Sequence, residues 1–131
     1  MQDRPTAQEL LESVRHFLEE TVVSALDGPA RFHARVAANV LAIVGRELRD
    51  EESTLLAEWT RFATLLERPG DAPPERLVAL RAAVAGLTQE LCARIRRGDA
   101  DVSPFREAVR AAVTASVAEK LAVANPRFTA P

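Results

Sequence analysis

A chain of 131 residues, 47% hydrophobic and 27% charged, suits one globular domain and excludes a membrane protein. Its 17 basic and 19 acidic residues leave a net charge of −2, the wrong balance for nucleic-acid binding by phosphate neutralisation. The longest apolar stretch, VAANVLAIVG over 36–45, is half the roughly 20 residues that span a bilayer. A lone cysteine, Cys92, excludes an intrachain disulfide, and the start MQDRPTAQELLE lacks the basic-then-apolar order of a secretory signal. The expectation is a cytoplasmic protein with no membrane and no nucleic-acid partner. Sixteen of the basic residues are arginines, so only their placement is informative.

Taken in chain order, the periodicity predicts about five helices in an antiparallel all-α bundle, with residues 1–131 as one domain. The first covers 6–26. Thr6 and Glu9 form a capping box, and Leu10, Leu11, Val14, Phe17, Leu18 and Val22 share one face. Asp27-Gly28-Pro29 ends it. The second covers 30–49 with Phe32, Val36, Val40, Ile43 and Val44 as its buried face, widened by Ala37, Leu41 and Leu48. A third, 51–67, opens on acids that suit the helix dipole and carries Leu55, Trp59, Phe62 and Leu66. No Gly or Pro lies between Gly45 and Pro69, so two helices with a bend near Asp50 and one continuous rod both remain open.

The loop 68–73 is proline-rich. A fourth helix, 74–97, places Leu77, Leu80, Val84, Leu87, Leu91 and Ile95 at near-heptad spacing and ends at Gly98. The fifth, 103–123, starts with Ser103 as cap and Pro104 as first helical residue. Its small residues Ala108, Ala112, Ala115 and Ser116 allow close approach of a helix and make it a candidate seam for a homodimer. The tail 124–131 is expected to dock Phe128 on the body.

Catalytic and metal chemistry find little support. His16 and His33 fall on different helices, and HExxH and CxxC are absent. Glu12, His16 and Glu20 line up on the first helix, but on its polar face with no second helix supplying ligands, which suits a solvated face. Cys92 lies beside an apolar stripe and reads as a small, partly buried hydrophobe. Arg94, Arg96 and Arg97 are explained by a helix C-terminus. No cofactor, metal or catalytic residue set emerges, and the chain is not expected to be an enzyme.

Polar residues of the second helix are more suggestive. At 100° per residue, Arg31, Arg35, Asn39, Ala42, Arg46 and Arg49 share a stripe bordering the apolar face. Arg31 and Arg35, one turn apart near a helix N-terminus, form a candidate two-point clamp for phosphate or carboxylate, with Asn39 adding a neutral hydrogen bond. Alternatively these side chains pair with acids of neighbouring helices, or the stripe docks a partner. His33 and Glu47 fall inside the apolar arc, about 21 Å apart, so each needs a partner elsewhere or a place at an edge.

Three separated blocks, MQDRPTAQELLESVRHFLEE, FHARVAANVLAIVGREL and KLAVANPRF, resemble an uncharacterised bacterial family of small proteins. Genes of that family tend to lie beside acyl-CoA dehydrogenases and aminoglycoside-phosphotransferase-like kinases. The resemblance therefore implies a non-enzymatic accessory role in acyl-CoA or hydroxyacyl-CoA catabolism, with one of those enzymes as partner. The alternative is a small-ligand binder or enzyme whose basic stripe holds a phosphorylated or CoA-bearing substrate. The blocks hold His33, Arg35, Asn39, Asn125 and Arg127, with Arg31 just before the second, and these six residues are expected to form one anion or partner site.

Overall fold

The computed structural model describes residues 3–68 and 70–128. Among them there is no strand, and four helical runs make up the all-α architecture. The first run is α1 (Ala7–Phe17), continued by a π-helical segment (Leu18–Val22) and the short α2 (Val23–Ala25). The other three are α3 (Gly28–Leu65), α4 (Leu77–Arg96) and α5 (Phe105–Ala124). No described helix is long and apolar enough to cross a membrane. By its internal contacts the chain divides into two compact units, residues 1–51 with 123–125 and residues 52–122 with 126–131.

In the first unit, α1 begins as its sequence dictates. Thr6 Oγ1 accepts from the Glu9 amide at 3.2 Å, and Glu9 Oε2 accepts from the Thr6 amide at 2.7 Å. This reciprocal capping box satisfies two amides that a helix start otherwise leaves unpaired. Of the two arrangements open at Asp50, the continuous rod is the one formed, since α3 runs unbroken for 38 residues where separate helices 30–49 and 51–67 are the other possibility. With neither Gly nor Pro after Gly45 in this stretch, nothing interrupts the hydrogen-bond ladder, and the acids at 50–52 sit on it as ordinary helical residues. Gly28, with φ of 57°, supplies the left-handed turn that starts α3.

Packing within this unit overturns the expected buried face of α3. Phe32, Val36, Val40, Val44 and Leu48 are 40–63% exposed, whereas Ala34, Ala38 and Gly45 are buried. Gly45 is turned toward α1, where a Cβ on it would sit 3.3 Å from Gln8 Nε2. Small side chains admit close backbone approach, and this contact wins over burial of the larger row. The apolar face of α1 divides in the same way, with Leu11, Leu18 and Val22 partly buried and Leu10, Val14 and Phe17 outside.

The second unit holds the packed core. Trp59, Phe62 and Ala63 of α3 with Leu66 just past its end, Leu80, Val84, Leu87 and Leu91 of α4, and Val109 and Ala112 of α5 form one buried cluster. Of the stripes expected here from the sequence, Trp59, Phe62, Leu66, Leu80, Val84, Leu87 and Leu91 are buried, Leu55 and Leu77 are partly buried, and Ile95 is exposed. Helix α4 starts three residues later than expected because Arg76 is still extended, and α5 starts at Phe105, with Ser103 Oγ turned to the Glu107 carboxylate. On the small-residue face of α5, Ala112 and Ser116 are buried inside the unit, Ala115 is partly buried and Ala108 is exposed. Phe128 does not dock; it is 71% exposed.

The connection after α3 closes on an unusual residue. The Arg68 amide donates to Ala63 O at 2.9 Å, and Glu67 between them adopts a φ of 57°. This is the six-to-one closure that glycine normally provides, and a side chain with a Cβ pays roughly 1 kcal/mol for it.

Candidate functional site

Three features of the molecule are placed to do something chemical, beginning with the residues singled out by sequence. Arg31, His33, Arg35, Asn39, Asn125 and Arg127 are all exposed. Among the described residues, the side chains of Arg31, Arg35 and Asn39 have no ion-pair or hydrogen-bond partner. The internal acids that a purely structural role would supply are therefore not in contact with them. His33 meets the ring of Phe32 edge-on, centroids 5.6 Å apart. His33 and Glu47 escape the cost of burial because the apolar arc they share is itself at the surface.

The tail is tied elsewhere along the same helix. Arg46 Nε donates to Val123 O at 2.6 Å, capping the last turn of α5. That anchor lies fifteen residues, about 22 Å, along α3 from Arg31. The structure thus fixes the end of α5 at Arg46 and does not bring it to the Arg31 end. The rest of the basic stripe is internally engaged: Arg49 pairs with Asp50 at 2.8 Å, which holds the Asp50 carboxyl below its ordinary range. On α1, Arg15 bridges Glu12 and Glu19, and the Glu12 carboxyl is likewise lowered by its hydrogen bond to Arg15.

The second feature is a polar network between α3 and α5 that sequence reasoning did not find. Glu58, with a side chain 6% exposed, accepts from Lys120 Nζ at 2.9 Å, and Lys120 keeps its ammonium largely in water. One turn along, Arg61 forms a two-pronged contact with Glu119 at 2.8 and 2.5 Å and reaches Ser116 Oγ at 3.3 Å. The hydrogen bond to Glu119 raises the Arg61 pKa further, against the opposing effect of burial. Arg61 Nε is buried with no partner among the described residues. The signal in the sequence was available: Glu58 interrupts the Leu55, Trp59, Phe62 stripe, and Lys120 is the single lysine.

Beside this network lies the third feature, an open cleft of about 830 Å³ between the end of α3 and the start of α5. Leu65, Phe105, Ala108 and Ala111 give it an apolar floor, and Arg61, Glu67 and Arg94 stand among its polar lining residues. Arg94 is fixed there twice, over the Phe105 ring at 4.2 Å and against Asp99 at 3.1 Å. The contact with Arg94, helped by Arg97, lowers the Asp99 carboxyl below its ordinary range. A cleft of this size and lining suits a small molecule with an apolar body. Arg31, Arg35 and Asn39 take no part in it. No group of three or more His, Cys, Asp or Glu able to hold a metal lies among the described residues, and Cys92 is a partly buried free thiol.

Comparison with known proteins places this architecture in a family. A domain of unknown function, DUF6285, matches residues 24–128, and the chain belongs to that family. The match takes in α3, α4 and α5 and begins after α1. No curated protein and no solved structure matches the chain.

Proposed function

We propose that this member of the DUF6285 family is a non-enzymatic helical accessory protein that works by protein contact in acyl-CoA or hydroxyacyl-CoA catabolism. The observation that carries the contact role is the first unit, which leaves its large apolar side chains outside. Soluble proteins seldom expose a contiguous row of such residues unless something docks on it. Leu10, Val14 and Phe17 on α1 recur at helical spacing and stand 47–55% exposed. An acyl-CoA dehydrogenase or a phosphotransferase-like kinase is the partner implied by the family resemblance. Affinity purification of the tagged chain from its native host tests this, with Val14→Asp as the control. Co-purification of either enzyme with the parent chain, and its loss with Val14→Asp, supports the reading. Recovery of the parent chain without either enzyme sinks it.

The cleft favours a second reading, a small-ligand binder. Its volume and its apolar floor beside Arg61 and Arg94 suit an acyl group carried on an anionic head. Calorimetric titration with a medium-chain acyl-CoA, repeated on Ala111→Trp to fill the floor, distinguishes this reading. Saturable binding lost in the filled variant supports it, and absence of heat in both removes it.

A further inference from the structure

The exposed row on α3 has an internal symmetry that names its occupant. Viewed outward from Val40, the residues fall in matched pairs at equal distances along the chain: Val36 with Val44, His33 with Glu47, and Phe32 with Leu48. At 100° per residue each pair also lies at equal and opposite angles from Val40, about 40° for the valines and about 20° for His33 and Glu47. The arrangement therefore looks the same from either end of the helix, except that it exchanges a cation-forming group for a carboxylate. A two-fold axis through the level of Val40 sets residue 40 + k of one helix against residue 40 − k of another.

From this we infer that a second copy of the chain covers the row, with the two α3 helices antiparallel, Val40 packed at the two-fold axis, and His33 of each copy facing Glu47 of the other. Within one chain His33 and Glu47 are about 21 Å apart and cannot meet, yet between antiparallel copies they lie at the same level. Two such contacts per dimer complement the apolar row, which extends about 24 Å from Phe32 to Leu48. The buried face of this part of α3, Ala34, Ala38 and Gly45, points roughly 140° around the helix from Val40, so the row is open to a second helix. A heterologous partner has no need of such self-matching, whereas an isologous interface requires it.

The inference goes beyond the accessory role and leaves the Leu10, Val14, Phe17 row of α1 to a different protein. Sedimentation equilibrium of the full chain, over a series reaching high micromolar concentrations, is expected to show a monomer–dimer equilibrium. Val40→Asp is expected to abolish the dimer while leaving the far-ultraviolet circular dichroism unchanged, because Val40 is exposed in the single chain. His33→Glu should weaken the dimer about tenfold or more by placing two carboxylates together, and Glu47→Lys should weaken it by removing the acceptor that His33 faces. The double exchange, His33→Glu with Glu47→Lys, should recover most of that loss, an outcome that does not depend on Val40→Asp folding. A parent chain that stays monomeric throughout, or a double exchange as weak as the single ones, overturns the proposal. If the parent chain is monomeric but Val40→Asp loses the dehydrogenase or kinase in the affinity purification, the row serves that partner instead. The accessory role then stands while the self-association falls.

Discussion

Glu58 sits in the apolar stripe of α3, where a carboxylate survives only with a partner, and the partner comes from the tip of a long flexible side chain. Because the Lys120 ammonium remains in water, removing it leaves Glu58 unpaired but close to solvent. Lys120→Ala should therefore cost about 1 kcal/mol, less than the roughly 3–5 typical of a fully buried pair. Glu58→Leu should be neutral or stabilising in the same urea titration, since an apolar side chain suits the stripe. Asp99 gives a pH-dependent counterpart. Arg94 first, then Arg97, lower its folded-state pKa, so its contribution is present above the unfolded value near 3.8 and is lost as pH falls through the folded one. The melting temperature should decline across that acid window, and Asp99→Asn should flatten the decline while leaving behaviour at neutral pH less pH-sensitive than the acid limb.

At the scale of the elements, α3 decides the fold. Its continuity through Asp50 predicts that Asp50→Pro, which deletes a ladder hydrogen bond and clashes with the preceding turn, destabilises by about 3 kcal/mol or more. Loss of helical ellipticity together with a lower urea midpoint is the expected reading. The second half of this helix was legible in the sequence because Leu55, Trp59, Phe62 and Leu66 meet two other apolar stripes and all are consumed in one core. The first half was legible only as a pattern. Periodicity groups Phe32, Val36, Val40 and Val44 on one face, but it does not say which face finds a neighbour. Here the neighbour chose the alanines and Gly45, since small residues permit a closer approach than the valine row. The basic stripe was similarly readable as a placement, while the engagement of Arg46 with Val123 O needed the path of α5. Glu58, Arg61 and Glu119 form contacts across about sixty residues of chain, beyond the reach of local spacing.

For the whole molecule, the division into two units separates a packed core from a helix pair that relies on small residues. Trp59 is the chain's single tryptophan and belongs to the buried cluster of the second unit. Deleting residues 1–23 removes α1 and should leave the emission wavelength of Trp59 unchanged, while ellipticity falls by the share that α1 contributes. A red shift of Trp59 on that deletion contradicts two separable units. The same truncation retains the entire DUF6285 match, so it also separates what belongs to the family domain from what α1 adds. Lys120 carries one more consequence, for chemistry done on the protein from outside. As the chain's single lysine, it is the one side-chain target for amine-directed labels, and its reactivity reads out the closed state of its carboxylate pair. Acylation there removes the charge that Glu58 depends on, so a reagent meant only to tag the surface also reaches the core.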